Sequence, residues 1–479
     1  MAGDTTEKTD KVNHEPPRST DVVEKGEVVE IDADEALNAV AGLDAATLQL
    51  DEEAERRLLR KIDMNLMPLM CIIYGLNYLD KTTLSYASIM GLKTDLKLVG
   101  DNYQWLSSLF YFGYLGWEFP TNRLLQRLPL AKYSAFNIIM WGLVLALFAT
   151  TENFGGAVVI RLFLGVFEAA VTPGFTLFVS QWYTKKEQGF RTSIWFSFNG
   201  FAQIFGGLVA YGFARGASIH GFSIAPWKAI FIFTGLNARF LTKEERVLAI
   251  HRIKVNEQGI GNKHFKWYQV KEALTDPIVW GFVFQLIVSF GYTPEQSLLY
   301  GTPGGAVEVV TLLLCGFLGD RLGSRLLVSM VALVLSMVGM IMIVAIPLDK
   351  PAGRLAGYYL TQADAAPFVA ILSLISTNVA GWTKKTTVAA MYLVAYCVGN
   401  IIGPQTFRPK DAPEYRPGEI TILVCWALCL VDLVFIWSYY RRQNAKKRLV
   451  RADPSYTKIE NQEFLDLTDR ENAEFSYSL

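Results

Sequence analysis

The chain has 479 residues, 51% hydrophobic and 13% aromatic, but only 19% charged, against roughly 25% in soluble domains. Its 45 Lys and Arg balance its 45 Asp and Glu, so no net charge points to nucleic acid. The five cysteines lie inside long apolar blocks without paired spacing, which excludes a disulfide scaffold and a zinc site as organising principles. The pattern is that of an all-α polytopic membrane protein, not of a water-soluble enzyme.

Residues 1–57 are acidic, lack the apolar core of a cleavable signal peptide and read as a disordered tail. From Asp51 to Ile62 the apolar spacing of Leu58, Leu59 and Ile62 predicts an amphipathic helix leading into the membrane. A crossing helix needs about 20 predominantly apolar residues, because its backbone must be satisfied internally. Five such blocks follow in the first half: Asn65–Tyr86, Tyr103–Phe119, Ala131–Thr150, Ala157–Val179 and Thr192–Phe213. Five more occupy the second half: Gly304–Gly319, Leu326–Ile346, Pro367–Trp382 with its approach from Leu355, Val388–Phe407 and Ile420–Tyr440.

Between them the pattern degrades. Trp227–Leu236 and Pro277–Tyr292 are short apolar runs around a basic stretch, Asn237–Asp276. They resemble a sixth and a seventh span that have each lost part of their length. The resulting organisation is an N-terminal bundle over 58–236, a basic middle loop over 237–276, a C-terminal bundle over 277–440 and a polar tail over 441–479. Lysine and arginine in the short loops (Arg123, Arg127, Lys185, Lys186, Arg321, Arg325, Lys384, Lys385, Arg441) fall on one side if both termini are cytosolic.

Charge within the spans is the functional signal, since each ionisable group there costs at least ~2.5–3.5 kcal/mol. The first span contains Asn77-Tyr78-Leu79-Asp80-Lys81, and the fourth carries Arg161 and Glu168 two helical turns apart. Cations facing a cavity bind the carboxylate of an anionic solute, arginine as a fork and lysine as a point charge. Nearby carboxylates carry protons, and the two events support each other electrostatically. The same groups also suit ion pairs that merely neutralise one another. Asn199, Gln203 and Asn400 sit beside glycines that favour close helix packing. Glu308, Asn378 and Tyr114 are further candidates for a cavity wall. No paired histidines, zinc-protease motif or serine elbow appears, so the reading is not an enzyme.

At these residues the chain resembles the major facilitator superfamily, and within it the anion:cation symporter branch and the fungal allantoate permease group. The resemblance rests on NYLDKTTLSYA in the first span, on RLFLGVFEAAVTPG in the fourth and on GFLGDRLGSR at Gly316–Arg325. LNARFLTKEER and FRPKDAPEYRPGEI add to it. Lys81 stands where the branch usually has arginine, and the first-half loop GWEFPTNRLLQR is degenerate.

The resemblance implies two six-helix bundles, a substrate site at the midplane between them and alternating access. It implies proton coupling at Asp80 and Glu168, with no cofactor other than the proton. Substrate contacts would lie at Lys81 and Arg161, with Tyr78 on the cavity wall and Asn199 and Asn400 as looser correspondences. Asp320–Arg321 would form a cytosolic gate. The expected function is proton-coupled symport of a small organic anion, such as an allantoate-like ureide, a nicotinate-like carboxylate or a related vitamin or organic acid. The setting would be the plasma membrane, and the protein a monomer in the lipid bilayer without nucleic acid or metal. The shortened sixth and seventh spans raise two alternatives, a transport-defective gene product and a non-transporting nutrient sensor on the same fold.

Overall fold

The computed structural model describes residues 52–100, 102–220, 228, 266–280, 301–347, 349–406, 416–457 and 466–479. Among the described residues regular structure is helical throughout. The first half contains α1 (Glu52–Ile89), α2 (Asn102–Arg127), α3 (Leu130–Leu147), α4 (Phe154–Glu168), α5 (Val171–Trp182) and α6 (Lys185–His220). After α7 (Trp267–Thr275), the second half contains α8 (Gly301–Leu322), α9 (Arg325–Ala345), α10 (Pro351–Thr361), α11 (Ala365–Asn378), α12 (Trp382–Ile402) and α13 (Arg416–Arg451). Most of the shortened sixth and seventh spans, most of the basic middle loop and nearly all of the 1–57 tail lie outside the described residues.

Seven helical stretches among the described residues are long and apolar enough to cross a membrane. The blocks expected at Tyr103–Phe119, Thr192–Phe213 and Gly304–Gly319 form long helices too, α2, α6 and α8. All three carry interior polar groups. Glu118 and Asn122 are buried on α2, Asn199 on α6 and Glu308 on α8. The helices with the lowest polar content face outward instead. On α9, Leu327, Val331, Val334, Val338 and Ile341 form an exposed stripe, while Ser329, Ala332, Ser336 and Gly339 point inward. Such inside-out amphipathicity suits a lipid solvent, where helices associate through small and polar residues.

The two halves meet where α2 packs on α12 and α6 packs on α8. The second contact needs glycine. A Cβ at Gly200 would stand 2.5 Å from the carbonyl oxygen of Gly305, and one at Gly305 would stand 2.6 Å from that of Gly200. Any larger residue there would push the two halves apart.

The helix ends rich in Lys and Arg gather on one face. There Gln126 at the end of α2 donates to the Thr383 hydroxyl at 3.0 Å, and the Arg325 guanidinium donates to the Lys185 carbonyl at 2.7 Å. The polar tail is partly ordered. Helix α13 continues through 441–451, and residues 466–479 fold back against the basic face. Phe475, Thr468 and Asn472 are buried there. The Tyr477 ring stacks on Tyr440 at 4.9 Å, and the Lys185 ammonium lies 3.4 Å from the centre of the Phe475 ring.

Candidate functional site

A cavity of about 190 Å³ opens between the halves, lined from the first by Tyr74, Asn77, Tyr78, Lys81, Tyr114 and Asn199. From the second half come Glu308, Gln362, Asp364, Phe368 and Tyr396. Helix α1 places Asn77, Tyr78 and Lys81 one turn apart on a common face, as the sequence spacing requires.

The charges of α1 and α4 cross-pair. Lys81 Nζ lies 2.7 Å from Glu168 Oε1, 3.1 Å from Asn77 Oδ1 and 5.7 Å from the centre of the Tyr396 ring. The lysine side chain keeps 21% exposure while the glutamate keeps 1%. This pair therefore stands at the cavity edge, with the cation open and the anion closed. Asp80 and Arg161 form a deeper pair, 3.9 Å apart and almost fully buried. Asp80 Oδ2 accepts the Trp141 indole N–H at 3.0 Å, and Arg161 lies over the Phe148 ring. Polar atoms around both pairs have no hydrogen-bond partner: Asp80 Oδ1, Arg161 Nε and Nη2, Glu168 Oε2 and Asn77 Nδ2. Buried groups of this kind ordinarily find partners, so an unsatisfied set in one place marks a site rather than a packing core.

The candidates separate accordingly. Tyr78, Lys81 and Asn199 line the cavity, as do Glu308 and Tyr114. Glu168 lies against it through Lys81. Asp80 and Arg161 stand behind that layer. Asn400 turns back on its own helix, donating to the Tyr396 carbonyl at 2.8 Å. Asn378 is held by the tail, exchanging two hydrogen bonds with the Ser478 backbone at 2.7 and 2.8 Å.

At the expected gate, Asp320 Oδ1 accepts from Arg325 Nε at 2.7 Å, and Asp320 Oδ2 accepts the Phe190 backbone N–H at 2.8 Å. Arg321 points outward over the Phe317 ring. The partner of Asp320 is thus five residues on, because Gly323 (φ 68°) reverses the chain between α8 and α9. Sequence reasoning missed Arg325, Asp364 and Glu118. The last is fully buried on α2, with Asn122 donating to it at 2.7 Å, and its position inside the Tyr103–Phe119 block was the available signal.

A larger pocket of about 440 Å³ lies at the basic face between α12, α13 and the tail. Its charges are consumed internally. Lys384 Nζ sits 2.7 Å from Glu272, 2.8 Å from Asp469 and 3.2 Å from Asp276, and Arg470 also reaches Asp276 at 3.2 Å. Among the described residues no group of three or more His, Cys, Asp or Glu has the disposition of a metal site.

Residues 70–404 match the Major Facilitator Superfamily. An uncharacterized transporter of Schizosaccharomyces pombe is 39% identical, covering 91% of this chain and 92% of its own. The allantoate permease of Saccharomyces cerevisiae is 36% identical, covering 98% and 95%. That alignment runs over 524 residues, more than the 479 of this chain, so the permease carries residues with no counterpart here. The thiamine pathway transporter of the same yeast is 30% identical, covering 92% and 89%. Among solved structures, a proton:xylose symporter aligns with a TM-score of 0.58 at 13% identity, covering 78% of this chain and 95% of its own. A fucose:proton symporter of E. coli aligns at 0.54 and 14%, covering 78% and 98%. In sequence and in fold, the chain belongs to the Major Facilitator Superfamily.

Proposed function

We propose that the protein is a proton-coupled symporter of a small organic anion, working by alternating access in the plasma membrane with the basic face and both termini in the cytosol. The observation that carries this reading is the Lys81–Glu168 pair, 2.7 Å apart, with the lysine open to the cavity and the glutamate sealed behind it. A substrate carboxylate entering the cavity competes with Glu168 for Lys81, the one cation lining it among the described residues. When it wins, Glu168 is left as a buried carboxyl without a partner, a setting that favours its protonated form. The site then holds one ammonium, one bound anion and one neutral acid in place of the original pair. Proton uptake and anion binding are therefore linked, and each strengthens the other by the same factor.

Asp80 and Arg161, joined to Trp141 behind this layer, fix α1 against α3 and α4 so that Lys81 and Glu168 keep their register. Asp320 and Arg325, bonded to Phe190 and Lys185 of α6, close the cytosolic end. Similarity to the allantoate permease over 98% of this chain supports an organic anion as the cargo, with ureides, nicotinate-like carboxylates and related vitamins or organic acids as the class.

The test is uptake of a radiolabelled carboxylate by cells expressing this coding sequence, across a range of external pH. Accumulation should rise as external pH falls. Glu168→Gln should retain exchange but lose accumulation against a gradient. Accumulation by Glu168→Gln equal to that of the parent would contradict the proton role.

A further inference from the structure

Glu118 has no part in the anion site, yet it is completely buried where the two halves meet. Tyr114, Glu118, Asn122 and Gln126 stand four residues apart and so share one buried face of α2. Both ends of that row meet α12. The Tyr114 ring lies 6.5 Å from the Tyr396 ring, and Gln126 donates to the Thr383 hydroxyl at 3.0 Å. The row therefore runs from the cavity, which Tyr114 lines, to the basic face. Within it Glu118 Oε1 accepts from the Asn122 amide at 2.7 Å, while Glu118 Oε2 and Asn122 Oδ1 have no partner. Among the described residues no cation answers the carboxyl. Arg123 turns to Gln126 Oε1 at 2.7 Å, and Lys384 and Lys385 of α12 are met by the tail acids Asp469 and Asp466. The nearest titratable groups are Tyr114 and Cys397 of α12, with Glu168 of α4 beyond Tyr114, while Tyr133 of α3 is bonded to Thr121 at 2.8 Å.

We propose that Glu118 is a proton-binding site that ties closure of the α2–α12 seam to protonation. A buried carboxylate with a single neutral donor is poorly solvated, so the closed seam holds Glu118 as the neutral acid. When the cytosolic ends of the halves part, water reaches the carboxyl. Its O–H bond breaks, the proton passes to cytosolic water and the carboxylate is hydrated. Closure reverses the step and takes up one proton. An alkaline cytosol thereby favours the open seam, and an acidic one favours the closed seam. This rests on the reading of the basic face as the cytosolic end of an alternating-access transporter, and it is independent of what binds at Lys81. The competing role for Glu118 is structural, a hydrogen bond to Asn122 that a neutral amide supplies equally well.

The experiment measures seam opening on the full chain in lipid nanodiscs, without substrate. Spin labels go on Arg127→Cys, at the exposed end of α2, and on Lys271→Cys of α7, with the five native cysteines replaced. Lys384 ties α7 to α12 through Glu272, so the label pair reports the separation of the halves. In the parent the ratio of open to closed distances should rise with pH, by up to about tenfold per pH unit, the limit for one proton. Glu118→Gln, which keeps a partner for Asn122, should give a ratio independent of pH. Glu118→Met, which removes that partner, should be equally flat. Glu168→Gln should keep the dependence of the parent. A ratio independent of pH in the parent would overturn the proposal, and so would a dependence that survives in both Glu118 variants. Those two outcomes leave the anion site standing. Loss of the dependence in Glu168→Gln alone would move the switch to the Lys81–Glu168 pair and overturn the role of the seam.

Discussion

The molecule buries charge in two places and treats it in opposite ways. At the basic face Lys384 is 1% exposed yet has three carboxylates within 3.2 Å. Lys447 donates to the backbone carbonyls of Asp469 and Asn472. Asp466 accepts the Trp382 backbone N–H at 2.7 Å and pairs with Lys266 at 3.5 Å. In the membrane interior Asp80 and Arg161 are equally buried, but they stand 3.9 Å apart and leave several polar atoms unsatisfied. A saturated network holds elements together. An unsaturated one keeps bonding capacity in reserve for something that arrives and leaves. The difference separates the saturated clamp from the layer behind the proposed transport site, although both look alike when only burial is considered.

The comparison breaks most visibly at the clamp. Lys384→Met leaves Glu272, Asp276 and Asp469 facing one another with Arg470 and Lys447 among the remaining nearby cations. Stability should fall by about 3–5 kcal/mol, the range for removing one partner of a buried ion pair, read as the unfolding midpoint of the detergent-solubilised protein. Deleting residues 466–479 removes Asp469 and Asp466 together and exposes the ring of Tyr440. Its effect should be at least comparable to that of Lys384→Met, because it also leaves Lys447 and Asn378 without their tail partners. The two changes combined should cost less than their sum, since both remove the Lys384–Asp469 contact.

A pH series sharpens the contrast further. Burial raises Glu272 and Asp466 above the ordinary carboxylate range, with desolvation outweighing the lysines beside them. A carboxyl whose folded value lies above its unfolded one binds more protons when folded. Its contribution to stability is full below the unfolded value and is lost as pH rises through the folded one. Glu272→Gln should therefore flatten the decline in stability as pH rises above the ordinary glutamate value of about 4.3. A slope identical to that of the parent would show that Glu272 does not titrate in this window. The smallest effect is expected at Arg191, which joins α6 to Asp63 of α1 at 3.0 Å where both side chains keep some solvent. Arg191→Ala should cost no more than ~1 kcal/mol.

Much of the site was legible because ionisable residues stand out inside apolar blocks. Asp80, Lys81, Arg161 and Glu168 could be singled out from position alone, and the three-motif resemblance identified the superfamily. The pairing was not legible. Adjacent charges on α1 point to different sides of the helix, so Lys81 meets Glu168 and Asp80 meets Arg161. Which of them faces the cavity depends on how α4 packs against α1. At the expected gate the pairing of Asp320 with Arg325, five residues on, was not legible either, because a linear motif does not display the reversal at Gly323. The tail was opaque for a different reason. DLTDRENAEFSYSL has no helical or strand period, and its order comes from contacts to residues as near as Lys447 and as far as Lys185. Glu118 stood as a charge within a span. Its unsatisfied state emerged only once the surrounding side chains were placed.

The central claim is that one cavity cation is shared between a resident carboxylate and an arriving one. It is tested most directly by adding N-carbamoylglycine, a small ureido carboxylate, to the purified protein in weakly buffered solution and recording the pH change. The parent should take up about one proton for each anion bound, and Glu168→Gln should take up none. Binding without proton uptake in the parent, or uptake undiminished in Glu168→Gln, would contradict the account.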